Sequence, residues 1–442
     1  MDAISTYQQA EDYLYKFINL EIRQTPYTKR AYRLDRMEAF LAFAGNPHYG
    51  AQCVHIAGSK GKGSTALFIA ALIKEKGYRV GLYTSPHIIH LRERIQIDQK
   101  PISKELFIRL VRQVETILSR HPAGDFPGEI QPTFFEIITL IGFLAFKESG
   151  CDYWVLETGL GGRLDATNVI IPLVSVLTPI EFEHEDILGD TIEKIAAEKC
   201  GIIKEAVPVF SSKQLPAAKR IIEESSEKQK TSAVFFDDAI QKLSCVIAAH
   251  GTKIACLFKN DITVQTKIRM LGQHQAENAM LACLVFGQLF GVIDNALVDR
   301  AFFSARLPGR LEILREEPML LIDGAHTPES IKRSIRVIKA ISQKPRVLLF
   351  ACINGKKYKE MTRILADEFS KIIVSTPGTF KKSNPAEVYQ FVKKKHEDVE
   401  FVDDPKAALS AALQTGLPVF ALGSFYFAAE IRSVFLNNSR DL

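Results

Sequence analysis

Residues 51–65, AQCVHIAGSKGKGST, constrain the fold of this chain more than any other segment. An apolar, β-prone run ends at Gly58, a glycine-rich turn follows, and small residues from Thr65 to Lys74 predict a helix. Glycines let backbone N–H groups converge on an anion, and the N-terminus of a helix adds positive potential. The segment therefore predicts a strand, a phosphate-binding turn and a helix in direct succession.

The turn does not have the spacing of the common G-x-x-x-x-G-K-[ST] phosphate loop. Counting back from Gly61 places Ile56 where that pattern needs its first glycine, and Gly63 stands where it needs Ser or Thr. Lys62 is still placed to reach a β- or γ-phosphate, and the Ser64 hydroxyl to reach Mg²⁺. A glycine turn that only joins a strand to a helix is the alternative, but Lys62 and Ser64 favour a phosphate loop of a different spacing.

Strands and helices alternate along most of the chain. The β-prone runs of its first part lie at 79–84, 152–157, 172–177 and 206–212. Helical patterns between them predict a doubly wound, parallel sheet. Short β-like runs over 234–270 predict a small antiparallel sheet, and RLPGR at 306–310 breaks the pattern before the alternation restarts. We therefore predict an α/β protein with an N-terminal, doubly wound, P-loop ATPase-type domain (1–307) and a smaller, C-terminal, Rossmann-like α/β domain (308–442).

The composition excludes several classes of protein. The chain of 442 residues is 47% apolar, and its net charge of +5 is spread without a basic block, so it is not typical of nucleic-acid-binding proteins. It has no apolar stretch long enough for a membrane span, and its polar, amphipathic N-terminus is unlike a signal peptide. Seven scattered cysteines without a C-x-x-C pair favour free thiols over metal or disulfide roles. We predict a cytoplasmic protein that binds neither nucleic acid nor membranes.

Further candidate residues stand at the ends of predicted strands, where parallel sheets bind their ligands. Ser85 can donate to phosphate or bind Mg²⁺, with a turn-forming serine before proline as the alternative. Glu157 ends a strand opposite the glycine turn, the usual place of a Mg²⁺ ligand. In the glycine loop that follows, Gly162 lets the backbone approach a substrate, and Arg163 and Asp165 can orient one. A glycine-rich surface loop is the alternative reading of this segment.

Other polar residues are ambiguous on local chemistry. His184, among acidic residues, is either a metal ligand or a surface histidine, and Lys199 looks like an ordinary lysine at a helix C-terminus. Asn278 can contact the edge of a purine, and Arg310 can contact a phosphate. Asp323 can bind a ribose hydroxyl, and His326 can equally be a residue of a turn.

A series of strings occurs in one order along the chain: HIAGSKGKGST, YTSPHIIHLRERIQID, PTFFEIITLIGFLAF, VLETGLGGRLDATNVI, EHEDILGDTIEKIAAEKCGIIK, LGQHQAENA, LPGRLEIL, LIDGAHTPES and ALGSFYFAAEIR. In that order they resemble the folylpolyglutamate synthase and dihydrofolate synthase family, within the Mur ligase group, from residue 7 to residue 435. Such a set in one order is highly specific, because unrelated proteins do not share it.

The resemblance implies the roles of particular residues. It implies that ATP is bound by Gly58, Ser59, Lys60, Gly61, Lys62, Gly63, Ser64, Asn278, Arg310 and Asp323. It implies that Ser64, Ser85, Glu157 and His184 hold Mg²⁺, two ions in all, and that CO₂ carbamylates Lys199. It gives catalytic roles to Lys62, Lys199 and His326. The implied folate contacts are Arg92, Arg94, Thr133, Phe134, Phe135, Gly162, Arg163 and Asp165. The site is then closed between two domains, with RLPGR as the hinge.

The implied reaction forms an amide between a carboxylate and the α-amino group of L-glutamate. ATP activates the carboxylate as an acyl phosphate, and the products are ADP, phosphate and the amide. The implied partners of this monomer are ATP, L-glutamate and either folate or dihydropteroate, a choice that the sequence leaves open. The alternatives are another Mur-type amino acid ligase and a non-catalytic ATP-binding protein. The RERIQID and TFFE segments and the intact metal ligands favour the folate ligase.

Four positions depart from the pattern that is usual in that family. Ser59 and Lys60 stand where it has Thr and Asn, Glu183 stands where it has Asp, and Thr327 stands where it has Asn. None of these changes removes a predicted phosphate or metal ligand. Lys60 adds a second cation to the loop, and the sequence gives no reason for it.

Overall fold

The computed structural model describes residues 4–20, 32–378 and 382–438. The chain divides into two compact units, Met1–Ser244 with Ile254–Thr266 and His274–Ala305, and Cys245–Lys253 with Lys267–Gln273 and Arg306–Leu442. Both units combine helices with sheets of mostly parallel strands, which confirms the predicted α/β class.

The first unit is built on an eight-stranded sheet. Its strands are β1 (Gln52–Ala57), β2 (Val80–Tyr83), β3 (Ile95–Ile97), β4 (Lys100–Pro101), β5 (Tyr153–Glu157), β6 (Val174–Leu177), β7 (Val209–Ser211) and β8 (Ala233–Phe235). Their order is β4-β3-β2-β5-β1-β6-β7-β8, in which only β3 and β4 run antiparallel to their neighbours. The chain moves from β1 to both sides of the sheet, so the carboxyl ends of β2, β5, β1 and β6 meet at one edge, where ligands of such sheets bind.

Helices cover both faces of this sheet. They are α1 (Tyr7–Tyr15), α2 (Leu34–Phe43), α3 (Lys62–Glu75), α4 (Lys104–Arg120), α5 (Phe134–Glu148), α6 (Glu185–Leu188), α7 (Ile192–Cys200), α8 (Pro216–Lys228), α9 (Phe236–Ala239), α10 (Gln273–Phe290) and α11 (Asn295–Ser304). Apolar residues of α1, α2, α4 and α5 pack on one face in a cluster that includes Trp154 and Leu156. Those of α7 and α8 form a second cluster with Leu177 and Val209. Buried faces of this kind supply most of the stability of such helices.

A separate three-stranded sheet lies within the region of short β-like runs. Its strands are β9 (Ile240–Ala248), β10 (Gly251–Phe258) and β11 (Thr263–Ile268), in the order β11-β10-β9. Exposed and buried residues alternate strictly along β11, as expected when one face of a strand is covered.

The second unit has a six-stranded sheet between helices. Its strands are β12 (Glu312–Arg315), β13 (Leu320–Ile322), β14 (Val347–Phe350), β15 (Lys371–Val374), β16 (Val399–Phe401) and β17 (Val419–Leu422), in the order β12-β13-β17-β14-β15-β16. Its helices are α12 (Pro328–Ile341), α13 (Tyr358–Leu365), α14 (Pro385–Lys393), α15 (Pro405–Gln414) and α16 (Phe425–Asn438). Along β14 the side chains alternate between two clusters, Leu348 and Phe350 in one and Val347 and Leu349 in the other. A central strand covered on both faces therefore reads as a continuous apolar run.

Two predictions from the sequence concern the state of the cysteines and the absence of a membrane span. All seven cysteines lie among the described residues and are free thiols, five of them buried. Burial raises the pKa of Cys53 and of Cys352 to about 12. Within the described part of the chain, no helix is both long enough and apolar enough to cross a membrane.

Candidate active site

The glycine turn lies between the carboxyl end of β1 and the N-terminus of α3, as the sequence predicts. Gly58 and Gly61 have φ angles of +147° and +86°, a backbone that other residues rarely adopt. A Cβ on Gly58 would lie 1.9 Å from Thr178 Oγ1, and one on Gly61 would lie 2.7 Å from Asn278 Oδ1. Both glycines are therefore required by conformation and by space. The second contact also brings the predicted ATP ligand Asn278, on α10, against the loop.

Lys62 connects the loop with the end of β5. Its Nζ donates to the Gly58 carbonyl oxygen (3.1 Å) and lies 4.0 Å from Glu157 Oε1. Glu157 is buried at the end of β5, which pairs in parallel with β1. The Ser85 N–H group, just beyond β2, donates to Glu157 Oε2 (3.1 Å). The structure thus brings together Lys62, Ser85 and Glu157, which the sequence predicts separately.

The donor set at this edge suits a magnesium ion. Mg²⁺ prefers oxygen ligands and is commonly held by one or two carboxylates together with water and substrate phosphates. Glu157 supplies a buried carboxylate, and the further oxygens that we predict are the hydroxyls of Ser64, in the first turn of α3, and Ser85, just beyond β2. His184 is the N-cap residue of α6 and has a left-handed backbone (φ 48°), which is uncommon for a residue other than glycine. Among the described residues there is no group of three or more His, Cys, Asp or Glu placed to hold a metal ion, so this set stays a prediction.

Glu183 and Lys199 form the centre of a buried charge cluster. The Lys199 Nζ donates to Glu183 Oε1 and to the Gly58 carbonyl oxygen, both at 2.9 Å. Lys60 Nζ lies 3.5 Å from Glu183 Oε2. Burial disfavours a charged Glu183, but the positive field of Lys199, Lys62 and Lys60 outweighs it and lowers the pKa of that carboxyl. Burial lowers the pKa of Lys199, and Glu183 opposes that shift.

Only the family resemblance pointed to Lys199 in the sequence, although the helical pattern of α7 carries a further signal. The buried residues of α7 are Ile192, Ile195, Ala196, Lys199 and Cys200, the spacing of one helix face. Lys199 lies seven residues after Ile192 on this otherwise apolar face, so its side chain must be buried. A buried lysine needs a polar partner. The helical periodicity therefore marks Lys199, which local composition did not.

The second glycine loop is organised by contacts within the chain. A Cβ on Gly162 would lie 2.6 Å from the Lys199 carbonyl oxygen, so the close approach at Gly162 is to α7. Arg163 donates to Glu198 Oε1 (2.7 Å), with its side chain half exposed. Asp165 is buried and accepts from the Leu160 N–H (2.9 Å) and from the N–H and hydroxyl groups of Thr167 (3.0 and 2.6 Å). These contacts within the protein account for the positions of Gly162, Arg163 and Asp165 without a substrate. Their roles in substrate binding stay predictions.

His55, which is not among the site residues predicted from the sequence, contacts this loop from within β1. It is fully buried in β1, and its Nε2 lies 2.8 Å from Thr167 Oγ1. Because Thr167 donates its hydroxyl proton to Asp165, it accepts the bond from a protonated Nε2 of His55. Burial lowers the pKa of His55 to about 3, so the ring is neutral. A histidine within an apolar strand run was the available signal.

Three predicted folate contacts, Thr133, Phe134 and Phe135, lie at the start of α5, and Arg94 lies beside Phe134. Thr133 caps this helix and forms a capping box with Glu136. The buried Arg94 donates to His87 Nδ1 (3.0 Å), and its guanidinium lies 5.5 Å from the Phe134 ring centroid. The further predicted contacts Arg92 and Phe135 lie beside the Tyr7 ring (5.4 Å) and the Tyr83 ring (6.1 Å).

A buried ion pair that the sequence did not predict fixes the same helix. Arg36, on α2, donates from Nε to both carboxylate oxygens of Glu136 at 3.0 Å, and its Nη2 lies 2.9 Å from Oε2. The Thr133 N–H group and hydroxyl both donate to the same carboxylate at 2.7 Å. Every oxygen of this buried carboxylate therefore has a donor.

The remaining predicted residues belong to the second unit. Asp323 is buried just after β13 and accepts from the Ser334 hydroxyl (2.5 Å). Burial raises its pKa, while that hydrogen bond and Arg310 oppose the shift. The Arg310 guanidinium lies 5.1 Å from the Phe425 ring centroid. His326 donates from Nδ1 to the Gly324 carbonyl oxygen (2.8 Å), just before the capping box of α12.

Comparison with known proteins gives a consistent result. Residues 56–286 match the Mur ligase middle domain, and residues 309–421 match the Mur ligase glutamate ligase domain. The chain is 33% identical to the dihydrofolate synthase/folylpolyglutamate synthase of Bacillus subtilis, over 90% of this chain and 94% of that protein. It is 30% identical to the folylpolyglutamate synthase of Lacticaseibacillus casei, over 91% and 94% respectively.

Solved structures are similar over nearly the whole chain. The folylpolyglutamate synthase of Thermotoga maritima superposes with a TM-score of 0.84 at 29% identity, covering 98% of this chain and 97% of that one. The Mycobacterium tuberculosis folylpolyglutamate synthase complexed with ADP and AMPPCP gives a TM-score of 0.88 at 26% identity, over 98% and 99%. A complex of such a synthase with AMPPCP and folate gives 0.81 at 28% identity, over 98% and 100%.

Proposed function

The chain belongs to the Mur ligase family, and we propose that it adds L-glutamate to folates, and to dihydropteroate, in an ATP-dependent ligation. It is an ATP-dependent ligase related to the folylpolyglutamate and dihydrofolate synthases. The observation that carries the proposal is the meeting of Lys62, the first residue of α3, with Ser85, just beyond β2, and Glu157, at the end of β5.

The ATP phosphates would bind along the loop Gly58–Ser64. Lys62 can neutralise the β- and γ-phosphates, and the first-turn N–H groups of α3 lack intrahelical partners and can donate to them. Asn278 stands beside Gly61 and would contact the nucleotide from α10. In the second unit we assign Arg310 and Asp323 to ATP and His326 to catalysis, as the family resemblance implies.

Glu157, Ser64, Ser85 and His184 would hold Mg²⁺, which neutralises phosphate charge during transfer of the γ-phosphoryl group. We also propose that Lys199 is carbamylated. Its burial lowers the pKa of the amine and so favours the neutral form that reacts with CO₂. The folate would lie along Arg92, Arg94, Thr133, Phe134 and Phe135, with Gly162, Arg163 and Asp165 in the adjoining loop.

A carboxylate must be activated before it can form an amide, because the oxygen that would have to leave is a poor leaving group. The substrate carboxylate attacks the γ-phosphorus of ATP, ADP leaves, and an acyl phosphate forms. The α-amino group of glutamate then attacks the carbonyl carbon, and phosphate leaves from the tetrahedral intermediate with formation of the amide. The work of the protein is to position the three substrates and to neutralise charge through Lys62 and Arg310.

The test is phosphate release in the presence of ATP, Mg²⁺ and L-glutamate, with dihydropteroate and tetrahydrofolate assayed side by side. We expect release only when both glutamate and a pterin substrate are present. Lys62→Ala should lower the rate by about 100-fold or more, because a preorganised charge is lost from the transition state.

The matched control is Lys76→Ala, at the exposed C-terminal end of α3, which should keep the wild-type rate. Circular dichroism checks that both variants are folded. ATP binding without substrate-dependent phosphate release would contradict the ligase assignment, and near-normal turnover by Lys62→Ala would contradict the role of Lys62.

Three further assignments remain predictions. We propose a monomer, as the family resemblance implies, and a division into domains at 1–307 and 308–442. A cytoplasmic location suits the seven free cysteines, because reducing compartments keep thiols free.

A further inference from the structure

The phosphate loop and the segment after β6 stay joined beyond the ends of their strands. Thr178 donates from its N–H to the Ala57 carbonyl oxygen (2.9 Å), and Ser59 donates from its N–H to the Pro179 carbonyl oxygen (2.8 Å). The pairing of β1 with β6 therefore continues into two loops that carry predicted site residues. The segment from Thr178 leads within six residues to His184.

The Ser59 side chain closes this pairing. Its hydroxyl donates to the Glu181 carbonyl oxygen (2.9 Å) and accepts from the Glu181 N–H group (3.0 Å). A serine hydroxyl has one proton, and here that proton is directed at the protein backbone. The residue is only 6% exposed, so solvent does not compete for these bonds.

We propose that Ser59 is a positioning residue, which fixes the Glu181–His184 segment to the phosphate loop and does not itself bind phosphate. The inference rests on the proposed function, since it concerns the same ATP and Mg²⁺ site. Two residues beyond Glu181, the Glu183 carboxylate contacts Lys60 and the unmodified Lys199, and the next residue is the predicted metal ligand His184. Ser59 thus sets the distance between the phosphate loop and these charged groups.

The competing role is the one that the family resemblance implies for Ser59, a contact to ATP. Both donors of Ser59 are already directed inside the protein, the N–H group at Pro179 and the hydroxyl at Glu181. A phosphate contact would therefore have to break one of two bonds that join the loops. Lys62 remains suited to a phosphate contact, and Ser64, the other serine of the loop, is the one assigned to Mg²⁺.

The experiment compares Ser59→Ala, which removes the hydroxyl, with Ser59→Thr, which keeps it. Two quantities are measured: affinity for a fluorescent ADP analogue in EDTA, and the Mg²⁺ concentration that gives half-maximal phosphate release. For Ser59→Ala we expect the metal-free affinity within about twofold of wild type and the Mg²⁺ requirement raised about tenfold or more, as is common when a group that orients a metal ligand is lost. Ser59→Thr should restore both values.

The proposal is overturned if Ser59→Ala weakens metal-free ADP binding about tenfold, or leaves the Mg²⁺ requirement unchanged. Ser119→Ala, at the exposed end of α4, is the control and should change neither quantity. If Ser59→Ala does not fold, Ser59→Cys keeps the size of the side chain with a weaker hydrogen bond and is tested in its place.

The two proposals fail in different ways. Absence of glutamate-dependent phosphate release in the wild type would contradict the proposed function. The positioning role is still tested by binding of Mn²⁺ in the presence of ADP, measured by electron paramagnetic resonance for wild type and Ser59→Ala. Equal Mn²⁺ affinities would overturn it, and an affinity lower by about tenfold would support it.

Discussion

The charged residues that depart from the family pattern meet each other in the structure. Lys60 and Glu183 both stand where the family resemblance implies another residue, and Lys60 Nζ lies 3.5 Å from Glu183 Oε2. The other oxygen of Glu183 accepts from Lys199. Lys60, the extra cation of the loop, is therefore paired with a carboxylate that also accepts a hydrogen bond from the buried Lys199. This ion pair accounts for Lys60 without a contact to phosphate.

His55 gives a prediction for the pH dependence of stability. The folded protein keeps His55 neutral down to about pH 3, whereas the unfolded chain takes up the proton near the ordinary pKa of 6.5. The unfolded state therefore binds more protons between these values, and the free energy of unfolding falls as the pH falls. From about pH 7 to about pH 5, the His55 contribution should fall by about 2 kcal/mol.

The variant His55→Gln keeps a hydrogen-bond donor for Thr167 but has no group that titrates here. Its free energy of unfolding should therefore fall less than that of the wild type between about pH 7 and about pH 5. Denaturant unfolding of both proteins at the two pH values gives the measurement. Equal losses in wild type and variant would show that His55 is not the buried neutral group that the structure indicates.

At the level of elements, the N-terminus of α5 is fixed by more than its own capping box. Arg36 on α2 and Glu136 on α5 form a buried ion pair, and Thr133 donates twice to the same carboxylate. The capping box is local and was readable from Thr133 and Glu136 in the sequence. The ion pair joins residues 100 positions apart and depends on how the two helices pack.

Arg36→Ala should therefore lower the free energy of unfolding by about 3–5 kcal/mol, because Glu136 is left buried without its cation. Urea unfolding measures the change. Replacing both residues by leucine should cost less than Arg36→Ala, since no buried charge remains unpaired. The control is Arg109→Ala, whose pair with Glu148 is exposed and should contribute little. A similar cost for Arg36→Ala and Arg109→Ala would contradict this account.

At the level of the whole molecule, parallel strand order decides which distant residues form the site. β2, β5, β1 and β6 are neighbours in that order, and Ser85, Glu157, Gly58 and Thr178 each follow or end one of them. These residues are far apart in the chain but lie at one edge of the sheet. A site built from several strand ends binds its ligand only when the unit is folded.

ATP should consequently stabilise the folded protein. With Mg²⁺ and a non-hydrolysable ATP analogue at about 100 times its dissociation constant, ligand binding should add about 2.7 kcal/mol to the free energy of unfolding. Calorimetry should show a higher melting temperature for the wild type and for Lys76→Ala. Lys62→Ala should lose most of the shift, and an equal shift in all three proteins would place the nucleotide elsewhere.

Much of the fold and part of the site could be predicted from the sequence. The α/β class and the loop from Gly58 to Ser64 followed from periodicity and from glycines, which report local backbone geometry. Gly162 shows the limit of local reasoning. The sequence suggested that it lets the backbone approach a substrate, but in the structure the close neighbour that leaves no room for a side chain is α7. Lys199 shows the same limit, because the sequence places it on the buried face of α7 but does not show that Glu183 and the Gly58 carbonyl oxygen are its partners.

The sequence by itself determined the succession of strands and helices, the phosphate loop and the family. Each of these depends on residues close together in the chain or on strings kept in order. Only the tertiary structure decided which charges and hydroxyls meet, such as Ser59 with Glu181 and Lys199 with Gly58, the latter 141 positions apart. The physical reason is that hydrogen bonds and ion pairs act over a few ångströms, and only the strand order and the packing of helices on the sheet bring such distant residues within that range.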